Sequence, residues 1–443
     1  MIIVDTALER REDEGRPIRV AIIGAGYMGR GTALQIMTAF RRGMRLVAMS
    51  NRTISQAEQA YTQAGVEDLA RPDSVAELED AIRAGRPAIT DDPMLLCEAE
   101  GIDAIVEATG EIEFGAHVVL RAIEFGKHVI LMNAELDAVA GPILKVKADQ
   151  AGVVITNVDG DQPGVVMNLY RWVKQIGYQP VLAGNIKGLQ DHYRTPETQK
   201  AFADAVKQKP KMITSFADGT KVSMEMAVVA NATGFGVGAR GMHGPRCDHV
   251  TEAKELFPME QLMGGGIVDF ILGAEPGPGV FVLGYNENPI KQQYLQYLKM
   301  GDGPLYVFYI PYHFPHLETP LTVARAALFH DAATSPLGGQ VVEVITAAKT
   351  DLAEGTDLDG IGGFHTYGLC ENVSVSGPAG FIPMSLAEGC RLKRNVAKDE
   401  ILRYEDLEVP AGRLCDSLRA EQDAYFDVPC RGPTTADAGE TTA

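Results

Sequence analysis

The sequence predicts an α/β protein. An N-terminal parallel sheet wrapped by helices is followed by an α+β middle domain, which would hold substrate and build an oligomer, and by a small β-rich C-terminal domain. Three observations carry this. Short apolar runs alternate with helical patterns up to about residue 156, the mark of a parallel sheet. After Asp159 the alternation gives way to strand-like runs among Gly-rich turns. Near the C-terminus two polar segments, Lys349-Thr350-Asp351-Leu352-Ala353-Glu354-Gly355 and Lys393-Arg394-Asn395-Val396-Ala397-Lys398-Asp399, share a pattern and lead to leucines at the same offset, Leu358 and Leu402, as in a β-domain with internal pseudo-symmetry. The expected boundaries are 1–158, 159–340 and 341–430, with a small, polar, disordered tail at 431–443.

In chain order, residues 20–23 form an apolar strand ending at Gly24, and a helix runs on through Phe40. Residues 46–49 form a second strand. Ser55-x-x-Glu58 resembles a capping box opening a helix that stops near Gly65. Residues 104–108 read as a buried strand, residues 116–125 as a helix ended by Gly126, and residues 129–132 and 153–156 as further strands. In the middle domain, residues 280–283 and 305–309 are strand-like.

Composition narrows the function. The chain has 443 residues, too many for one core, and its apolar share of 46% is ordinary for a globular protein. A net charge of −19 repels polyanions, so nucleic acid is not an expected partner. Six cysteines, Cys97, Cys247, Cys370, Cys390, Cys415 and Cys430, form no Cys-x-x-Cys pair, which fits a reduced, cytoplasmic protein. No apolar run is long enough for a membrane span, and the residues before Asp5 are too few for a signal peptide core.

Gly24-Ala25-Gly26-Tyr27-Met28-Gly29 is Gly-x-Gly-x-x-Gly directly after a strand and opening a helix, the context that makes it a dinucleotide-binding fingerprint and the first domain a Rossmann domain. Gly24 allows the tight turn, Gly26 lets backbone approach a pyrophosphate, and Gly29 permits close helix–strand packing. The second strand ends in Ser50-Asn51-Arg52-Thr53, without the carboxylate that usually accepts bonds from the ribose hydroxyls of NAD. Arg52 can pair with a 2′-phosphate, and Ser50, Asn51 and Thr53 can donate to it. NADP is therefore favoured, with NAD the alternative. Thr109, Gly110 and Asn133 lie at carboxyl ends of strands, where open α/β sheets bind ligands.

Hydride transfer also needs a group that polarises the substrate oxygen and exchanges its proton. Lysine suits that role, and Lys187 and Lys221 are the candidates, with Glu225 or Asp191 orienting them. Lys221 and Glu225 share a face on either a helix or a strand. Arg240, His243 and Arg246 sit in or beside the Gly-rich segment 236–245 and suit an anionic substrate group; an ordinary exposed loop is the alternative. His313 is a further substrate-binding candidate. His313 and His316 straddle Pro315 near Glu318, yet lone loop histidines are more often structural, and no metal is expected.

Beyond these features the chain resembles the homoserine dehydrogenase-like oxidoreductases that carry a C-terminal SAF domain, and within them the deoxyxylulose-phosphate reductoisomerase-like proteins. The resemblance rests on the glycine motif and on Asp159-Gly160-Asp161-Gln162-Pro163-Gly164. It rests further on Glu225-Met226-Ala227 with Ala230-Asn231-Ala232-Thr233-Gly234, on Gly241-Met242-His243-Gly244-Pro245-Arg246, and on Pro311-Tyr312-His313 with Glu318-Thr319-Pro320-Leu321. Phe381-Ile382-Pro383 through Leu392-Lys393-Arg394 to Asp406-Leu407 resembles the SAF module, a small β-clip fold. The resemblance implies NADPH-dependent conversion of deoxyxylulose phosphate to methylerythritol phosphate, a step of isoprenoid biosynthesis, and a homo-oligomer. Two positions depart from the subgroup, which carries Gly-Lys-Gly-Lys where this chain has Gly184-Asn185-Ile186-Lys187, and Arg where it has Ile310. A phosphorylated substrate needs cations, so the resemblance speaks more strongly for cofactor and reaction class than for that substrate.

Three functions remain open from sequence. The first is an NADP-dependent reductase of a small, polar, sugar-like carbonyl compound, phosphorylated or free. The second is a homoserine-type dehydrogenase of an amino-acid-like alcohol, against which Ala134-Glu135 stands where that family has Ala-Asn-Lys. The third is a non-catalytic NADP-dependent sensor, for which the polar inventory of the middle domain is richer than needed.

Overall fold

The computed structural model describes residues 4–429, so Cys430 and the expected disordered tail lie outside the described residues. Packing divides the chain into two compact units. One takes the chain through Leu136, then Leu144–Gly164 and Phe314–Ser335. The other takes Asp137–Ile143, Val165–His313 and the chain from Pro336 onward.

The first unit is built on six parallel strands, β1 (Ile18–Ile23), β2 (Met44–Ser50), β3 (Ala88–Thr90), β4 (Ala104–Glu107), β5 (His128–Leu131) and β6 (Ile155–Asn157). Their order is β3-β2-β1-β4-β5-β6. The order reverses between β1 and β4, and open sheets of this kind bind ligands at that switch point, outside the carboxyl ends of the strands. The strands are almost wholly buried because helices cover both faces, which is why they read as continuous apolar runs rather than alternating ones. The Tyr27–Ala39 helix follows β1, and its Ala33 and Ile36 enter the core with Ile22, Met49 and Val106. The Pro315–Phe329 helix joins the same core through Val323 and Ala324. Arg325 on that helix forms a buried ion pair with Asp159, just past β6, and pairs with Asp331 at 2.6 Å.

Two local expectations need correction. The helix after β2 spans Ile54–Thr62 and its cap position is Thr53, with no side-chain cap bond, so Ser55 and Glu58 lie inside it and form no capping box. The helix read as residues 116–125 starts a turn earlier and spans Ile112–Glu124. Gly115 lies within it, close against the buried Asn133 side chain, and packing there outweighs the weak helix propensity of glycine.

The second unit carries β7 (Gln179–Lys187), β8 (Ile267–Leu272), β9 (Val280–Tyr285) and β10 (Leu305–Ile310) in the order β10-β9-β7-β8. β7 runs parallel to β8 and antiparallel to β9. The Thr220–Thr233 helix is buried along nearly its full length. β11 (Val342–Ala348) pairs with β12 (Thr366–Asn372), and β13 (Arg391–Leu392) with β14 (Leu407–Glu408). The two similar polar segments meet here. Leu352 and Val396 exchange backbone hydrogen bonds of 2.8 and 2.9 Å, and the Lys398 N–H donates to Asp351 at 2.8 Å. Cys97, Cys247, Cys370 and Cys390 form no disulfide among the described residues. Among those residues no helix is long and apolar enough to cross a membrane, and no group of His, Cys, Asp or Glu is placed to hold a metal.

Candidate active site

In the first unit the site grows from the glycine loop after β1. Gly24 has φ +105°, and a Cβ there would lie 2.7 Å from the Ala108 carbonyl carbon. A Cβ on Gly29 would overlap the Gly24 carbonyl oxygen, so the helix can approach the loop only with glycine at this position. Gly26 faces open space and caps the Tyr27–Ala39 helix with no side chain across its free N–H groups. Those groups and the helix dipole favour an anion there. Tyr27 and Met28 are exposed beside it, and Ala25 is buried.

The loop is braced from two sides. The Ala25 N–H donates to Asn51 Oδ1 at 2.9 Å, and Asn51 Nδ2 donates to the Thr53 carbonyl at 2.9 Å and to Gln56 Oε1 at 3.2 Å. Arg30 donates to the Ala25 carbonyl at 2.8 Å. Asn51 is thus occupied within the loop, and Ser50 is buried at 1% exposure. Arg52 and Thr53 are exposed, and the Arg52 guanidinium makes no hydrogen bond or ion pair among the described residues.

At the end of β4, Glu107 is fully buried. It accepts the Thr109 N–H at 2.8 Å, the Thr109 hydroxyl, and Asn133 Nδ2 at 3.0 Å. Burial pushes its carboxyl above the usual range, and the Thr109 and Asn133 bonds oppose that shift. Asn133 also caps the Ala134–Ala151 helix, accepting the Leu136 N–H at 3.1 Å. Thr109 and Asn133 therefore shape the turns at the ends of β4 and β5, while Gly110 is exposed at φ +70°.

In the second unit Lys187 ends β7, and Asn185, two residues earlier, shares its face. Glu225 sits in the second turn of the Thr220–Thr233 helix. Its Oε2 accepts from Lys187 Nζ and from Asn185 Nδ2, each at 2.8 Å. The Glu225 side chain is 5% exposed and that of Lys187 21%. Lys221 lies one turn before Glu225 on the same helix, half-buried. Asp191 pairs with Arg194 at 3.0 Å and accepts the Tyr193 N–H at 3.1 Å.

The Gly-rich segment is held by a group that sequence reasoning missed. Asp269, buried on β8, accepts the N–H groups of His243, Gly244 and Phe270 at 2.8–2.9 Å. A single Asp inside an apolar strand gives no pattern by which sequence could signal this role. Arg240 pairs with the buried Glu371 at 2.7 Å and lies over the Phe381 ring. His243 Nε2 meets Gln261 Oε1 at 2.7 Å. Arg246 is exposed, with no side-chain bond among the described residues, and His313 is half-buried.

Two family models match the chain. Residues 18–131 match the oxidoreductase family with an NAD-binding Rossmann fold, and residues 160–319 match the catalytic domain of the oxidoreductase DRL. The chain is an NAD(P)-dependent oxidoreductase. The first match spans the glycine loop described above, and the second spans Lys187, Glu225 and the Gly-rich segment. No curated protein matches the sequence. Solved structures similar in fold include a probable dehydrogenase from Thermotoga maritima, with 12% identity, TM-score 0.40, 71% of this chain and 90% of that one. A scyllo-inositol dehydrogenase from Lactobacillus casei has 14% identity, TM-score 0.36, and 61% and 74% coverage. The deoxyxylulose phosphate reductoisomerase of Zymomonas mobilis has 19% identity, TM-score 0.33, and 48% and 58% coverage.

Proposed function

We propose that this oxidoreductase uses NADP to reduce a small, polar, sugar-like carbonyl compound, with conversion of deoxyxylulose phosphate to methylerythritol phosphate as the candidate reaction. The observation that carries the reading is the Lys187–Glu225–Asn185 cluster. One buried carboxylate holds an ammonium and an amide on the same face of β7. The cofactor, when bound, supplies the hydride. Lys187 then places positive charge and a proton at the oxygen that reduction makes negative, and Glu225 fixes its position. Lys221, one turn away, is the second candidate donor, and Arg246 and His313 are the candidate substrate contacts. Arg240 and His243 act through the Gly-rich segment that they brace. NADP is favoured over NAD because Arg52 and Thr53 are exposed at the end of β2 and the Ser50-Asn51-Arg52-Thr53 segment itself carries no carboxylate. A homo-oligomer, a cytoplasmic location and an SAF-type recognition role for the C-terminal β elements belong to the same proposal.

The substrate is tested by NADPH oxidation against deoxyxylulose phosphate and a panel of free and phosphorylated sugar-like carbonyls. Turnover on phosphorylated members alone supports the candidate reaction. If only free sugars react, the double substitution Asn185→Lys with Ile310→Arg is expected to bring in activity on deoxyxylulose phosphate by supplying two cations. Absence of NADPH oxidation across the whole panel would overturn the reading.

A further inference from the structure

The Pro315–Phe329 helix belongs to the first unit although the chain reaches it more than a hundred and fifty residues after β6. Its first turn is seated at the carboxyl edge of the parallel sheet. The Gly160 backbone, just past β6, is in close contact with Phe314 and with Glu318, and Thr319 lies beside Met132 at the end of β5. His316, in that first turn, packs against the Tyr27–Ala39 helix. A Cβ on Gly31 would come 2.7 Å from its ring, and the Tyr27 ring meets it edge-on at 6.2 Å. Tyr27 and Gly31 are four residues apart, so both lie on the side of the helix turn that begins at the pyrophosphate cradle of Gly26. Because Arg52 marks the β2 side as the place of the adenine ribose, a dinucleotide crossing the switch point must place its other half on the β4–β6 side, where His316 sits.

We propose that His316 is a cofactor-positioning residue that hydrogen-bonds the nicotinamide-side half of the dinucleotide. Its Nδ1 is shut off from water without a hydrogen-bond partner among the described residues, so the ring nitrogen left open to a bound molecule is Nε2. Burial also holds its pKa below the usual value, so the ring is neutral and offers one donor and one acceptor. Gly31 is small enough to admit the ring, and a Cβ there would force the ring to move.

The inference rests on the proposed NADP-binding role of the first unit and holds whatever the substrate. The test titrates the full chain with NADPH and with adenosine 2′,5′-bisphosphate, which lacks the nicotinamide half. His316→Phe keeps a ring against Gly31 but has no nitrogen. It is expected to weaken NADPH about 3- to 10-fold, the scale of one hydrogen bond, and to leave the bisphosphate unchanged, while His316→Gln recovers part of the loss. If the phenylalanine variant binds NADPH like the unmodified chain, His316 is only a packing residue and the proposal fails. Equal weakening of both ligands overturns it too, because that is the mark of a damaged fold. Should the variants not fold, imidazole nitrogen NMR of the unmodified protein decides. NADPH must move the His316 nitrogen signals and the bisphosphate must not; identical spectra refute the proposal.

Discussion

The Lys187–Glu225 pair allows a structural role and a chemical one to be separated. Glu225→Gln keeps the side-chain shape and can still accept the Asn185 amide proton, but removes the charge. Breaking a buried ion pair by removing one partner costs about 3–5 kcal/mol. Here the Lys187 side chain is 21% exposed, so water takes up part of the orphaned charge, and a loss of about 2–3 kcal/mol is expected. Lys187→Met should destabilise on a similar scale by stranding the Glu225 carboxylate with fewer donors. The double variant Lys187→Met with Glu225→Gln buries no unpaired charge, so most of the stability should return, a coupling of the size seen for contacting residues. Denaturant unfolding of the four proteins measures this. Turnover must behave differently. If Lys187 supplies the proton, its loss costs about 10²–10⁴ in rate, and the double variant regains stability but not activity. Rates are read on the carbonyl compound that best oxidises NADPH in the substrate panel, with NADPH affinity measured in parallel and expected to hold. Recovery of turnover in the double variant would show that Lys187 only neutralises Glu225, and the proposed chemistry would fall.

Two further outcomes are expected. Arg52→Asp should reverse the cofactor order from NADP to NAD, because it removes the phosphate partner and adds a ribose acceptor; titration calorimetry showing equal affinities in the unmodified chain would count against the reading. Lys349 is 2% exposed and donates to Asp218 at 2.9 Å and to the Arg194 and Gly363 carbonyls at 2.8 Å, so Lys349→Met should cost about 3–5 kcal/mol in unfolding free energy, part of it restored by adding Asp218→Asn.

Much of the first unit was legible because its signals are local. A buried parallel strand must be apolar on both faces, and a glycine must stand wherever a Cβ would strike backbone, as at Gly24 and Gly29. The glycine motif, the order of strands and helices, the spacing of Lys221 and Glu225 and the absence of a carboxylate after β2 are all properties of short windows of sequence. The shared pattern of the two polar segments was legible too, but that they pair through Leu352 and Val396 was not.

What sequence could not decide depends on residues far apart in the chain. Ser50 and Asn51 have the donors a 2′-phosphate would use, yet one is buried in the sheet and the other is occupied in bracing Ala25, and neither state follows from residue type. Glu107 and Asp269 stand in apolar strands and look like interruptions. They become meaningful only because the fold brings Asn133 to Glu107 and the N–H groups of the 243–244 turn to Asp269. Lys187 found its carboxylate 38 positions away, and Arg240 found one 131 positions away, so neither pairing could be read from a short window of sequence. The Pro315–Phe329 helix carries no local mark of membership in the nucleotide unit. Its place there is fixed by burial of Val323 and Ala324 and by the Arg325–Asp159 pair, energies that exist only once the chain has closed on itself.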